Sequence, residues 1–335
     1  MSAFSAVRKR LAAIPALTVL DSVPLAGYTR FGIGGPASIF CETPDEAAFV
    51  EALRIVGRMA DDEKRSSAPP MVIGGGTNLI VSDAGFDGVV LRYTGSRIVQ
   101  RDQTLCAESG ALLQDVVDQS IARGLKGMET MTGIPGYLGG AVYGNAGAYG
   151  RSIEQAVVRV RVTDGERVFD LGGEDCGFRY RESIFKQRKQ WVILAAELRF
   201  EEGDPAGMAR RAAEIRAIRD AKYPPEMKCA GSIFKNLLFA DLPPRVRAQV
   251  PEKVIREGKV PSAWFLEQAG AKGLRRGDIQ VADYHANLVY NDGVGTAADL
   301  ATMIRDLKRR VRERFGFDLE EEVQYIGFAP IPAVV

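Results

Sequence analysis

The sequence predicts a mixed α+β fold in two domains, and three observations carry that expectation. Short apolar strand-like runs alternate with amphipathic helical stretches through the first two hundred residues, and this pattern breaks around Glu201 to Pro205. The sequence beyond the break differs in texture, being rich in proline and charge before a long amphipathic helix. At about 150 residues per domain, 335 residues also make roughly two domains. The expected limits are an N-terminal leader over residues 1–25, a first domain over 26–203 and a smaller second domain over 204–335.

The elements follow in order. Arg8-Lys9-Arg10 precedes an apolar run from Leu11 to Leu20, but Pro15 interrupts it and no small-residue cleavage site follows. An amphipathic leader is therefore expected rather than a secretion signal. Ala37 to Cys41 reads as a strand. Thr43-Pro44-Asp45-Glu46 reads as a helix start with Thr43 as N-cap, Pro44 in the first helical position and Glu46 in the reciprocal capping position. Phe49, Leu53 and Val56 continue that helix. Met71 to Ile73 and Val89 to Leu91 are strands, and a helix after Ser109 places Leu112, Val116 and Ile121 on one face with Gly124 as its stop. Strands follow at Val157 to Val162 and Val192 to Phe200, then a charged helix from Met208 to Ala221. In the second domain a Pro-rich segment from Asp241 to Pro261 leads to a strand at Asn287 to Tyr290. A helix from Thr296 to Phe315 has capping residues Thr296 and Asp299, an apolar stripe of Leu300, Ile304, Leu307 and Val311, and Gly316 past its end. A last strand, Leu319 to Ile326, puts Glu320, Glu322 and Gln324 on one face.

Composition narrows the function. Lys and Arg number 44 against 43 Asp and Glu, a net charge of +1, which argues against a coat for nucleic acid or an anionic membrane. No run of about 20 apolar residues exists to span a bilayer. A single histidine, His285, excludes most zinc sites and, unless it serves itself, the Ser-His-Asp and Cys-His pairs; no metal is expected. Cys41, Cys106, Cys176 and Cys229 are scattered, with no C-x-x-C, as in a reduced cytosol. The 36 glycines are about 11% of the chain against a usual ~7%.

Three glycine clusters stand out. Gly32-Ile33-Gly34-Gly35-Pro36-Ala37 has the letters of a dinucleotide fingerprint in the wrong context, since a strand follows it instead of a helix. Ile73-Gly74-Gly75-Gly76-Thr77-Asn78-Leu79 is better placed, because a buried strand runs into amides able to form an anion nest. Gly133 to Gly150 holds seven glycines in eighteen residues, a density that packing alone does not justify, so a flat or anionic group is expected to approach that backbone. Two such clusters suit a ligand with a pyrophosphate and a planar ring, with FAD the natural candidate.

Six segments then carry a resemblance. Gly74 to Asp83 (GGGTNLIVSD), Gly133 to Gly150 (GIPGYLGGAVYGNAGAYG), Tyr180 to Lys186 (YRESIFK), Ala230 to Asn236 (AGSIFKN), Glu267 to Asn291 and Leu319 to Gly327 (LEEEVQYIG) together resemble the UDP-N-acetylenolpyruvoylglucosamine reductase (MurB) family. The resemblance implies an FAD domain of the vanillyl-alcohol-oxidase-like (PCMH) type followed by a smaller α+β substrate domain. It implies that NADPH reduces a tightly but non-covalently bound FAD, which reduces the enolpyruvyl ether of UDP-N-acetylenolpyruvylglucosamine to UDP-N-acetylmuramate for peptidoglycan. The implied setting is the bacterial cytoplasm, with a UDP-sugar and NADPH as small-molecule partners and with no nucleic acid, membrane insertion or obligate protein partner. Carried over by motif, the catalytic residues are Arg181, Ser232 and Glu322. The implied FAD contacts are Gly74, Gly75, Gly76, Thr77, Asn78, Leu79, Gly133, Ile134, Gly136, Gly140, Asn145, Gly147, Ala148 and Tyr149. Tyr180, Lys222, Lys235, Asn236 and His285 match substrate-lining positions.

Chemistry agrees with the three catalytic roles. Hydride addition to an enolpyruvyl terminus leaves negative charge on the neighbouring carbon and its carboxylate, which Arg181 can hold bidentately and Glu322 can support if it keeps its proton. Ser232 then protonates the carbanion carbon, a task open to a weak acid because the acceptor is strongly basic. By local pattern alone Glu320 and Glu322 are equivalent; only the family's Glu-Val pair selects Glu322. Two departures from the family pattern stand out: a stretch over 237–260 that reads as an inserted helical excursion near the substrate entrance, and a short segment after Lys186. The latter suits the variety lacking a tyrosine-bearing lid loop. The competing readings are an oxidase on the same FAD fold and a non-catalytic nucleotide-binding module. Neither Gly74 to Asp83 nor Gly133 to Gly150 contains the His or Cys with which such oxidases often tether FAD, and the binding module gives no joint role to Arg181, Ser232 and Glu322.

Overall fold

The computed structural model describes residues 3–62 and 70–328. They divide into two compact units: one formed by the chain up to Val23, Ala37–Gly76 and Asp87–Pro224, the other by Pro24–Pro36, Thr77–Phe86 and the chain from Pro225 onward. This division does not follow a cut at a single point in the chain. The helix Pro205–Lys222, expected to open the second domain, belongs to the first unit, where it buries Met208, Ala212 and Ile215. Two earlier segments join the second unit because Phe31, Ile33 and Ile80 are part of its core. The extremes of the expected leader and second domain, residues 1–2 and 329–335, lie outside the described residues.

The first unit has two cores. In one, strands Thr18–Pro24, Pro36–Thr43, Phe86–Tyr93 and Met71–Ile73 lie side by side in that order, the last pair parallel with Met71 opposite Val90. Helices Ala3–Leu11 and Glu46–Asp62 supply Val7, Leu11, Phe49, Leu53 and Val56 to its apolar interior. The second of these helices starts later than expected. The Asp45 carboxylate accepts the Ala48 amide at 2.8 Å, while Thr43 accepts the Asp45 amide at 3.0 Å. Asp45 is thus the N-cap, its charge complementing the helix dipole, and Glu46 is turned outward to Arg161 at 2.9 Å instead of capping.

The other core lies on an antiparallel sheet ordered Val168–Gly172, Val157–Thr163, Val192–Arg199, Thr104–Glu108, Ile98–Arg101. The helix Leu113–Ala122 buries Leu113, Val116 and Val117 in that core. Leu112, expected on the apolar face, is 47% exposed. It is drawn into a bridge with Tyr137, where the Leu113 amide donates to the Gly136 carbonyl and the Leu138 amide to Ala111.

In the second unit the strands Lys228–Ser232, His285–Asn291, Ile279–Ala282 and Arg275–Arg276 form an antiparallel sheet. The helix Ala297–Phe315 fully buries Leu300, Ile304, Leu307 and Val311, as its stripe demands. Thr296 caps it by accepting the Asp299 amide at 3.1 Å, and Gly316 ends it at φ +79°. A second cap was not visible in the local sequence: Asp83 accepts the amides of Ala297 and Ala298 at 2.8 and 2.9 Å. The same turn explains the first glycine cluster, since a Cβ on Gly35 would lie 2.2 Å from the Asp83 carbonyl. The stretch over 237–260 is a closed loop more than a helix. Leu237–Leu238 pairs with Lys259–Val260 at its neck, one helical turn spans Pro244–Arg247, and Leu242, Val246 and Val250 anchor it in the core.

The last strand is shorter than its alternation suggests, covering only Gln324–Ile326 in parallel pairing with Leu79–Val81. Val323 and Ile326 are both buried, three residues apart, so burial does not keep a two-residue period into the strand.

Removing the Asp83 carboxylate by Asp83→Ala is expected to cost about 1 kcal/mol of stability in chemical denaturation, as is Thr296→Ala. An unchanged midpoint for both would mean that water satisfies the helix start equally well. Burial pushes the thiols of Cys41 and Cys176 up to about 12 and raises that of Cys229, whereas Cys106 is partly accessible. Alkylation of the native protein followed by peptide mass spectrometry should therefore label Cys106 alone, and all four only after unfolding.

Candidate functional site

Both glycine clusters belong to the first unit at their closest approach. Gly74 to Gly76 follow the buried strand Met71–Ile73, and a Cβ on Gly75 would stand 3.0 Å from the Gly136 Cα. A Cβ on Gly74 would meet the Tyr137 ring at 3.7 Å, and that ring also carries the Arg92 guanidinium 5.3 Å from its centroid. Among the described residues, the amides of Gly74, Gly75 and Gly76 donate to no protein acceptor. A Cβ on Gly140 would enter open space. Amides without a protein acceptor, and open space beside Gly140, are what a pyrophosphate and a flat ring require, so these residues fit FAD.

Packing nevertheless accounts for more of the second cluster than its composition suggested. Gly133, Gly136 and Gly150 have positive φ, and a Cβ on Gly139 or Gly147 would collide with Ser109 or Arg151. The density of glycine is therefore mostly a demand of the turns, with Gly140 the position left open. Ile134 packs against the core, Gly147–Ala148 pairs with Arg151–Ser152, and Tyr149 stands at the hairpin tip, 45% exposed with φ +52°. Asn145 is 2% exposed, and its carboxamide is committed to protein partners: it donates to Glu154 and to the Arg179 carbonyl, each at 2.8 Å.

Arg181 occupies another tight hairpin. Arg179 and Glu182 exchange both main-chain hydrogen bonds at 3.0 Å, leaving Tyr180 and Arg181 as the two turn residues. Arg181 has φ +57°, a left-handed conformation costing a non-glycine residue about 1 kcal/mol or more. Its guanidinium donates to the carbonyls of Asn145 at 3.4 Å and Gly147 at 3.0 Å, and lies 5.3 Å from the Tyr180 ring centroid. After Lys186 the chain makes one turn and enters the strand Val192–Arg199 directly.

In the second unit Ser232 ends the strand Lys228–Ser232, opposite Leu288, just after a β-bulge in which Gly231 takes φ +77°. The bulge re-aims the serine relative to the ladder before it. The next residues form a short antiparallel pairing with the acidic run: the Glu322 amide donates to the Ile233 carbonyl at 2.7 Å and the Lys235 amide to the Glu320 carbonyl at 2.9 Å. Ser232 and Glu322 are thereby brought to neighbouring registers. Asn78, expected at the cofactor, donates to the Glu322 carbonyl at 2.8 Å and accepts the Gln324 amide at 3.0 Å. Thr77 beside it is half-buried, and Leu79 opens the strand paired with Gln324.

The remaining expected residues take varied places. Lys235 is 8% exposed and ion-paired to Glu320, Asn236 accepts the Ser262 amide at 3.3 Å, and half-buried His285 opens the strand His285–Asn291. Lys222, the last residue of its helix, lies over the Tyr223 ring at 5.0 Å. Asn287 was missed by the sequence reading. Buried at 2%, it accepts the Phe234 amide and donates to the Phe234 carbonyl, both at 2.9 Å, and so fixes the segment that follows Ser232. A carboxamide between Ala286 and Leu288, beside the apolar centre of the strand His285–Asn291, was the available signal. Among the described residues no three His, Cys, Asp or Glu side chains are grouped to hold a metal, and no helix is long and apolar enough to cross a membrane.

Comparison with known proteins agrees with this geometry. An FAD binding domain family model matches residues 47–167, and the model for the UDP-N-acetylenolpyruvoylglucosamine reductase C-terminal domain matches 223–326. A UDP-N-acetylenolpyruvoylglucosamine reductase of Solibacter usitatus is 55% identical over 95% of this chain and all of its own length, and one of Rubrobacter xylanophilus is 37% identical over 91% and 94%. The crystal structure of UDP-N-acetylenolpyruvylglucosamine reductase (MurB) from Thermus caldophilus superposes with a TM-score of 0.70 at 29% identity, covering 92% of this chain and 99% of that one. The chain belongs to the UDP-N-acetylenolpyruvoylglucosamine reductase (MurB) family, with an FAD-binding domain and the family's C-terminal domain.

Proposed function

We propose that this chain reduces the enolpyruvyl ether of UDP-N-acetylenolpyruvylglucosamine to UDP-N-acetylmuramate in the cytoplasm, with NADPH as reductant and FAD held without a covalent tether. The observation that carries the reading is the near full-length match to a reductase named for that substrate. When bound, FAD supplies the hydride chemistry, and the backbone of Gly74 to Gly76, Gly136 and Gly140 would hold it. The chain's own residues must then manage charge and a proton.

Arg181 is assigned to the substrate carboxylate. A guanidinium already fixed by two carbonyl acceptors needs little reorganisation to bind it, and the strained backbone beneath supports a functional rather than a structural reason for an arginine there. Ser232 is assigned as the proton donor to the carbon bearing that carboxylate. Its bulged, register-fixed position supports the precise approach that a weakly acidic hydroxyl needs. Glu322 is assigned to hold the growing charge by hydrogen bonding, its main chain pinned to Ile233 and Asn78. Tyr180, Lys222, Lys235, Asn236 and His285 are assigned to the UDP-sugar.

The purified protein should be yellow, or become so with FAD, and should oxidise NADPH only when UDP-N-acetylenolpyruvylglucosamine is present. A colourless protein that cannot be loaded ends the proposal, and NADPH oxidation indifferent to that substrate points to the oxidase alternative. In stopped-flow work Ser232→Ala should leave flavin reduction by NADPH intact and slow reoxidation by substrate at least about 100-fold, the size of a lost general acid; equal loss in both half-reactions would refute the proton-donor role. Gly75→Ala, which sets a methyl against Gly136, should lower flavin content in the purified protein without preventing folding.

A further inference from the structure

Glu154 lies outside the segment in which a cofactor cradle or a catalytic residue was expected, yet it stands at the start of a hydrogen-bonded chain that ends on Arg181. Its carboxylate accepts from the Ser152 hydroxyl at 2.7 Å and from the Asn145 carboxamide at 2.8 Å, while its own amide donates to the Asn145 side-chain oxygen at 3.3 Å. These bonds decide which end of the Asn145 carboxamide faces which way. With the nitrogen turned to Glu154, its second hydrogen reaches the Arg179 carbonyl at 2.8 Å, one end of the hairpin that carries Arg181. The same Asn145 has φ +42°, and its main-chain carbonyl accepts from the Arg181 guanidinium at 3.4 Å.

Asn145 therefore holds both sides of the arrangement, the hairpin bearing the guanidinium and one of the two carbonyls that receive it. All of these residues belong to the first unit. We propose that Glu154 is a positioning residue for Arg181, acting through the Asn145 carboxamide to set the guanidinium for a carboxylate-bearing UDP-sugar. The inference rests on the reading that Arg181 meets that carboxylate, and it adds a residue to which neither motif nor spacing gave a role. Its physical basis is that a carboxylate can only accept. An anion at 154 accepts from the carboxamide nitrogen, whereas an apolar residue leaves a 2%-exposed amide with a lost partner, held only by the main-chain amide of residue 154 and the Arg179 carbonyl.

The test compares two ligands on the oxidised, flavin-loaded enzyme by isothermal titration. UDP-N-acetylmuramate carries the carboxylate and UDP-N-acetylglucosamine lacks it. Glu154→Ala should weaken the first about tenfold, the loss of one charge-assisted hydrogen bond, and leave the second unchanged. Glu154→Gln can still turn an oxygen to Asn145 and a nitrogen to Ser152, so it should restore the preference. In an Arg181→Ala background, Glu154→Ala should have no further effect on the ratio of the two affinities. Flavin content and the thermal midpoint, measured on each variant, establish that a folded enzyme is being compared. If Glu154→Ala does not hold flavin, Glu154→Asp, whose arm is one methylene shorter, is titrated in its place with the same expected order.

Equal weakening of both ligands, an unchanged preference, or a full additional loss in the Arg181→Ala background would overturn the proposal. An Arg181→Ala enzyme that keeps its preference for the carboxylate ligand instead removes the reading of Arg181 itself, and the inference with it.

Discussion

The second unit depends on one carboxamide. Asn287 meets the amide and the carbonyl of Phe234 together, which only a side chain with a donor and an acceptor at a fixed spacing can do. A carboxylate could accept but not donate, and would bring an unpaired charge into a site that is 2% exposed. With Phe234 fixed, Ile233 and Lys235 are in register for the amide and carbonyl of the Glu320 to Glu322 run, and the Gly231 bulge has a rigid end to turn against. Ser232 lies between the bulge and that clamp. Its position is thus a consequence of main-chain geometry.

The same economy recurs in the first unit. Asn145 is a second buried carboxamide, again joining two pieces of main chain, and the glycine turns let those pieces approach. A chain with one histidine and 36 glycines builds its framework from backbone groups and asparagine. Asparagine side chains and main-chain groups are donors and acceptors that do not themselves titrate.

What could be read from the sequence was whatever a single element decides for itself. The helix Ala297–Phe315 was legible at both ends, since its Thr296 cap, apolar stripe and Gly316 stop all lie within it. Its second cap, Asp83, is more than two hundred residues away and carries no local mark. Leu112 looked apolar at helical spacing, but a bridge to Tyr137 takes it out of the helix. Thr43 and Asp45 are both good capping residues two positions apart, and only the Ala48 amide decides for Asp45. The units change at Pro225 and not at the break read near Glu201, and the return of 24–36 and 77–86 to the other unit carries no local mark, since it is fixed by Phe31, Ile33 and Ile80 finding a core built much later in the chain. The assignment of Arg181, Ser232 and Glu322 rests on motifs alone, because the three follow no spacing of their own.

The acidic run shows where structure separates residues that pattern leaves equal. Glu320 and Glu322 alternate identically along the chain, yet their surroundings differ. Glu320 has a side chain 72% exposed and pairs with the buried Lys235, and Glu321 pairs with Lys308 at 2.9 Å. Glu322 is half-buried, its main chain held on one side by Ile233 and on the other by Asn78. An exposed carboxylate matched to a lysine is screened by water and gains little by meeting new charge in a ligand. A carboxyl group on a doubly pinned, half-buried backbone need not be reordered when charge develops nearby. Position on the strand therefore leaves the two equal, and it is the hydrogen bonds of their neighbours that set their surroundings apart.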